Sequence, residues 1–331
     1  MDTSSQNRPR KSSQPHSNIW VLSATSFLTD ISSEMLINLL PLFLANILGA
    51  SMLTIGLIEG LAETTASLVK VVSGGLSDRI GKRKPLAVLG YGLSTLAKPF
   101  LYFASSWVWV LGVRFVDRIG KGIRTAPRDA LLASSASEEH RGLAFGLHRA
   151  ADTAGAFLGL GITTIIIWRL QSGYSQLTRQ AFQWVVLASI IPALLAVIIL
   201  ALGAKDIPVS NSSREGNQGS GLIHWRQIDR RFYQFLVVMV LFTLGNSADA
   251  FIILRGQERG LSVIWVMGML LTFTAVYSLL SSPAGALSDR IGRRKVFLAG
   301  WAVYATVYLG LALAQQGWQV WALFGFYGMY Y

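Results

Sequence analysis

Fourteen charged side chains of this 331-residue chain sit inside long apolar stretches. The acids are Asp30, Glu34, Glu59, Glu63, Asp117, Asp152 and Asp249; the bases are Lys70, Lys98, Arg114, Arg118, Lys121, Arg124 and Arg149. A charge that faces lipid costs about 2.5–3.5 kcal/mol or more, so such groups turn inward and pair. Equal numbers of acids and bases are what pairing requires. The chemistry open to them is the binding and release of a proton or a charged solute. Burial favours a neutral carboxyl and a neighbouring guanidinium favours a carboxylate, so relative movement of the two loads or unloads a proton.

Helical spacing sorts the set. Asp30, Glu34 and Asn38 recur every four residues and share one face. Glu59, Glu63 and Lys70 fall within about 40° of each other, and Arg114, Arg118, Lys121 and Arg128 within about 80°. The acidic faces of the first two apolar stretches are therefore expected to meet the basic face of the fourth. Glu63 and Lys70 are expected to form a purely structural pair. When the two halves are laid over each other, residues 27–34 align with residues 242–249, so Glu34 matches Asp249. The overlay thus puts one acid at the same place in each half.

The elements that hold these groups follow from composition. The chain is 52% hydrophobic and only 14% charged, with a mean hydropathy of +0.46. A soluble domain carries about 25% charged residues, so this is a polytopic membrane protein. Apolar runs span roughly residues 19–47, 53–76, 86–104, 107–127, 142–168, 183–203, 232–254, 262–284 and 297–314, and a tenth begins near Trp318. Helices satisfy their own backbone hydrogen bonds in lipid, so the class is all-α. Residues 1–18 read as a disordered cytoplasmic tail and residues 204–230 as a polar linker. The linker separates an N-terminal six-helix bundle, 19–203, from an incomplete C-terminal bundle, 231–331. With the tail inside, the inner segments hold eighteen Lys and Arg and the outer segments four. That asymmetry places the N-terminus in the cytoplasm. The net charge of +12 lies at the ends of apolar runs, not on one soluble face, which argues against a nucleic-acid partner. Cysteine is absent and the four histidines are scattered, so no metal site, cofactor site or enzyme constellation is expected.

One motif occurs twice. Residues 74–84 carry Gly74, Asp78, Arg79, Gly81 and Arg83, and residues 285–295 carry Gly285, Asp289, Arg290, Gly292 and Arg294 at the same spacing. Nine of eleven positions are identical between the copies, so one half repeats the other. The motif resembles the signature loops between helices 2 and 3 and between helices 8 and 9 of major facilitator superfamily transporters. The resemblance covers nearly the whole chain from about Ile19. It implies two pseudo-symmetric bundles, with about nine and a half of twelve membrane helices present, and a C-terminal truncation of roughly eighty residues.

The resemblance also implies roles. Arg118, Gly120, Gly122 and the small residues after them resemble the superfamily's fourth-helix pattern, in which that arginine is tied to proton movement. Residues 127–131 and 148–155 are similar to a bacterial subgroup without assigned substrate. Gly155, Gly159 and Gly161 resemble the glycine-rich fifth helix of exporters, without its central proline. The loops would act as a gate. Asp78 would hold nearby basic groups and the end of helix 11, Arg79 and Arg83 would tie helix ends together, and Asp289, Arg290 and Arg294 would serve the second bundle. Asp30, Glu34, Glu59, Glu63, Arg114, Arg118, Lys121, Arg124, Asp152 and Asp249 would couple protons or line the solute cavity. The function implied is secondary active transport of a small solute by a monomer in the bacterial inner membrane. It would be proton-coupled, as in an antiporter that exports drugs or metabolites. Uptake of an organic anion is the alternative, and a non-transporting remnant or sensor is the alternative from another class.

Overall fold

A computed structural model describes residues 17–171, 173–207 and 229–330. Within them every regular element is helical. The elements are α1 (Ser17–Ile37), α2 (Leu40–Asn46), α3 (Met52–Ile80), α4 (Lys84–Ala97), α5 (Trp107–Ser134), α6 (Arg141–Gln171), α7 (Arg179–Gly203), α8 (Arg230–Leu244), α9 (Asp249–Glu258), α10 (Val263–Ile291), α11 (Arg293–Leu313) and α12 (Gly317–Tyr327). Short 3₁₀ turns occupy Lys98–Phe103 and Glu138–His140. Several starts are capped by hydroxyls. Ser51, Ser106 and Thr178 accept hydrogen bonds from the backbone N–H groups of Thr54, Trp109 and Ala181.

Among the described residues, eight stretches are long and apolar enough to cross a membrane. The helix α5 is equally long but carries Arg114, Asp117, Arg118, Lys121 and Arg124, and α12 has only 11 residues. Three of the expected continuous runs are broken. The first divides into α1 and α2 before Pro41, whose ring cannot donate a backbone hydrogen bond. The third tightens into a 3₁₀ turn at Lys98–Phe103, where Pro99 removes another donor. The seventh divides into α8 and α9 at residues 245–248, where Gly245 ends the first piece.

The expected tail was drawn too long. Asn18 lies in α1, fully buried. Its amide donates to the Lys205 carbonyl at 2.8 Å and its carbonyl accepts from the Lys205 N–H at 2.8 Å. That two-way bond pins the end of α7 to the start of α1. Residues 1–16 and 208–228, on which the tail and most of the linker rest, lie outside the described residues.

Close helix contacts position the charged faces. A Cβ on Gly155 or Gly159 of α6 would run into the Phe27 or Ile31 carbonyl of α1. Gly120 and Gly122 likewise bring α5 against Ser94 of α4 and Val69 of α3. Ser73 donates to the Gly122 carbonyl at 2.8 Å and Ser94 to the Asp117 carbonyl at 3.0 Å, which fixes the register of the three helices. The helices before residue 208 and those after 229 share one apolar core, which holds Phe43 and Phe182 of the first set with Ile253 and Met269 of the second. Several of their mutual contacts lie at one end. The ring of Phe251 sits 3.0 Å from where a Gly56 Cβ would be, and the Val263 N–H donates to the Ser175 carbonyl at 3.2 Å. The buried residues of α10 stop at Thr274, among those whose side chains are described.

Candidate functional site

Between the two sets of helices lies a cavity of about 600 Å³. Its first wall carries Asp30, Glu34 and Asn38 from the first span, Glu59 and Glu63 from α3, Lys121 from α5, and Arg149 and Asp152 from α6. The opposite wall carries Asp249 at the start of α9, with Phe273, Tyr277, Phe324 and Tyr327. A narrow recess of about 110 Å³ extends among α1, the 3₁₀ turn after α4, and α5. It shares Asp30, Glu34 and Lys121 with the cavity and adds Lys98, Arg114, Asp117, Arg118 and Arg124.

Charges meet across helices here. Arg114 bonds Glu59 at 2.5 Å, and Arg118 bonds Glu63 at 3.2 Å and lies 3.9 Å from Asp117. These contacts tie α3 to α5. Asp152 sits 3.4 Å from Nδ1 of His148, and Arg128 bonds its neighbour Asp129 at 2.8 Å. Asn38 donates to the Glu34 carboxylate at 2.8 Å. Lys98 is buried and donates to Ser32 at 2.5 Å and Ser33 at 3.3 Å. Arg124 stacks over the ring of Tyr91, 4.4 Å from its centre. Burying an ion is tolerable where a partner or a set of dipoles replaces water, and each of these contacts does that.

Two expectations are corrected. Glu63 does not pair with Lys70, which is exposed; it bonds Arg118 on another helix. Seven residues separate Glu63 and Lys70, a rise of about 10 Å, which is beyond a direct ion pair. Asp78 has no ion pair among the described residues; it and Arg79 are exposed at the end of α3. Arg83 instead does the joining at that end. Its guanidinium donates to the Ala130 carbonyl at 3.0 Å and to the Ser134 hydroxyl, and its backbone N–H donates to Asp206 at 3.1 Å. Gly81 ends α3 with φ +70°, a conformation that favours glycine. Gly74 packs on Ala126. In the second copy Arg290 and Arg294 are exposed and Gly292 has φ +91°, while the surroundings of Gly285 and of the Asp289 side chain are not among those described.

Some participants escaped the site expected from sequence. Lys98, Asp117 and Arg149 were visible as buried charges but were not assigned to the cavity. His148 lies one helical turn from Asp152, a spacing that could have marked the pair. The aromatic wall had no sequence signal, because aromatic residues in apolar helices look alike until they are packed.

The family model of the Major Facilitator Superfamily matches residues 22–331. An uncharacterized MFS-type transporter of Methanocaldococcus jannaschii is 34% identical over 320 residues, which is 95% of this chain and 77% of that protein. The methyl viologen resistance protein of Salmonella typhimurium strain LT2 is 27% identical over 305 residues, covering 77% of this chain and 61% of that protein. Among solved structures, a bacterial homolog of the human lysosomal transporter Spinster, inward-facing and occupied, superposes with a TM-score of 0.69 at 18% identity. That alignment covers 96% of this chain and 74% of the other. A D-xylose–proton symporter gives a TM-score of 0.68 at 16% identity, over 95% and 79% of the two chains. The all-helical fold, the doubled loop motif and these matches agree: the chain belongs to the Major Facilitator Superfamily, as a multi-pass membrane transporter without an enzymatic role.

Proposed function

We propose that this transporter is secondary active and proton-coupled, and that Asp30 and Glu34 carry the proton. The carrying observation is the asymmetry among its four first-wall carboxylates in the first two spans. Glu59 and Glu63 are tied to Arg114 and Arg118, whereas Asp30 and Glu34 make no ion pair among the described residues and line both the cavity and the recess. Uptake of a proton there removes a negative charge beside Lys98, Lys121 and Arg124. Those cations then lose part of what stabilises their positions, and α5 shifts relative to α1. Because Glu59 and Glu63 bind α5 to α3, the two helices move as one body. The solute site lies between two bundles, 19–203 and 231–331, that rock about it.

The Arg83 ties hold the loop end of the first bundle together. Weakening them shifts the balance of the two access states. The excess of basic residues at the loop ends supports a cytoplasmic N-terminus in the bacterial inner membrane, with the protein acting as a monomer. Export of drugs or metabolites is supported by relatives named for methyl viologen resistance and multidrug resistance. A second reading, uptake of an organic anion, is favoured by the recess cations Lys98, Lys121 and Arg124, none of which is ion-paired among the described residues.

The test uses inverted membrane vesicles and radiolabelled methyl viologen or 4-methylmuconolactone, solutes named for two relatives. An inward-acid gradient is expected to drive accumulation that an uncoupler abolishes. Accumulation that ignores the gradient would remove the proton-coupling claim.

A further inference from the structure

The charges lining the cavity and its recess do not balance across the two walls. The first wall and the recess contribute six acids, Asp30, Glu34, Glu59, Glu63, Asp117 and Asp152, and six bases, Lys98, Arg114, Arg118, Lys121, Arg124 and Arg149. That half is neutral by itself. The second wall contributes one charge, Asp249, and no base. Among the described residues no ion pair or hydrogen bond reaches the Asp249 carboxylate, and Arg255, the nearest base along its helix, is paired with Glu258 at 2.7 Å. A carboxylate placed at membrane depth without a counter-charge calls for one from outside the protein.

The surroundings of Asp249 say more about that counter-charge. Phe273, Phe324 and Tyr327 line the same wall and stack on one another, with ring centres 4.6 Å apart for Phe273–Phe324 and 5.8 Å for Phe273–Tyr327. Asn246, Ser247 and Thr274 are the small polar groups beside them. A proton would use the carboxylate and ignore the rings. An organic cation would use both, because aromatic faces attract cations and cover apolar bodies. The cavity, at about 600 Å³, lies within the roughly 300–1,000 Å³ range of sites for drug-sized ligands.

We propose that the solute is an organic cation whose charge docks on Asp249 and whose apolar body lies on the half-buried ring of Phe273, which the buried rings of Phe324 and Tyr327 back. The inference rests on the cavity being the solute site. It assigns the two walls different tasks: the first handles protons and the second handles the solute.

Two probes of one shape and opposite charge test it, tetraphenylphosphonium and tetraphenylborate. Binding is measured by isothermal titration on the purified chain in detergent, so transport is not needed. Saturable binding of tetraphenylphosphonium is expected, and no saturable binding of tetraphenylborate titrated separately. Asp249→Asn should weaken binding by about tenfold or more. Asp249→Glu should stay within about threefold of the parent, and Phe273→Leu should weaken binding by about three- to fivefold. Each variant must elute as a single species and melt within a few degrees of the parent; the Glu and Leu variants carry the test if Asn does not fold. Equal affinity in Asp249→Asn overturns the assignment, as does the absence of saturable tetraphenylphosphonium binding. Tighter binding of tetraphenylborate also overturns it and points to the recess cations instead. Asp249-dependent binding without any gradient-driven flux would keep the cation site and defeat the proton-coupled transport reading. Gradient-driven flux with Asp249-independent binding would do the reverse.

Discussion

At the scale of single residues, the account depends on which buried charges are tied and which are free. Arg114 and Glu59 are the tightest pair, at 2.5 Å, with side chains only 6% and 13% exposed. Arg114→Gln leaves Glu59 buried without a partner and should destabilise the fold by about 3–5 kcal/mol. The double variant Arg114→Gln with Glu59→Gln should recover much of that loss, because neither site then holds an unpaired charge. Melting curves of the three detergent-purified variants check this. A double variant no more stable than the single one would show that the pair matters for another reason. The types of these residues were legible in the sequence, since charge stands out in an apolar run. Their partners were not. Helical spacing reports which residues share a face of one helix, but the register between helices is set by packing. That is why Glu63 was matched with Lys70 on its own helix and is found on Arg118.

At the scale of elements, small residues decide how near the charged faces come. Gly155 and Gly159 let α6 lie on the backbone of α1 at Phe27 and Ile31, beside Asp30 and Glu34. An alanine at either position must push the helices apart, and the expected loss is about 1–3 kcal/mol each. Gly161 has open space where its Cβ would be and lies mid-helix, so Gly161→Ala should keep or slightly raise the melting temperature. Equal effects at the three positions would contradict the packing assignment. In sequence the glycines could be read as packing or as part of an export motif; the close approach to α1 accounts for two of the three without a further role. Arg83 belongs to this scale as well, since it joins α4 to the end of α5 through Ala130 and Ser134. Arg83→Gln should slow transport several-fold while folded yield stays near that of the parent. Normal transport in that variant would remove the latch role from Arg83. The helix breaks after α1 and α8 were harder to read. The runs around them stay apolar, and only Pro41 and Gly245 hint at an interruption.

At the scale of the whole molecule, the proposed rocking of the two bundles requires the contacts between the two sets of helices at one end to open. Gly56 and Phe251 meet there across the two sets. The chain has no cysteine, so a pair introduced at these positions is the only one present. Gly56→Cys with Phe251→Cys, which lie about one phenyl ring apart, should be bridged by a short bis-methanethiosulfonate linker, stop transport, and regain it on reduction. Full transport by the bridged variant would rule out opening at this end. The membrane class and the doubling of the loop motif were legible at this scale, because both are written in patterns of many residues. The division of labour between the two walls was not, since it depends on which aromatic rings the fold gathers around Asp249.

The central claim is that Asp30 and Glu34 carry the proton that drives transport. The most direct measurement compares two modes in the same vesicles, gradient-driven accumulation and exchange without a gradient, for the parent, Glu34→Gln and Asp30→Asn. A coupling residue is needed for the first mode and not for the second. The expected result is loss of accumulation in at least one of the two variants, with exchange retained. Accumulation as strong as in the parent in both variants would contradict the account.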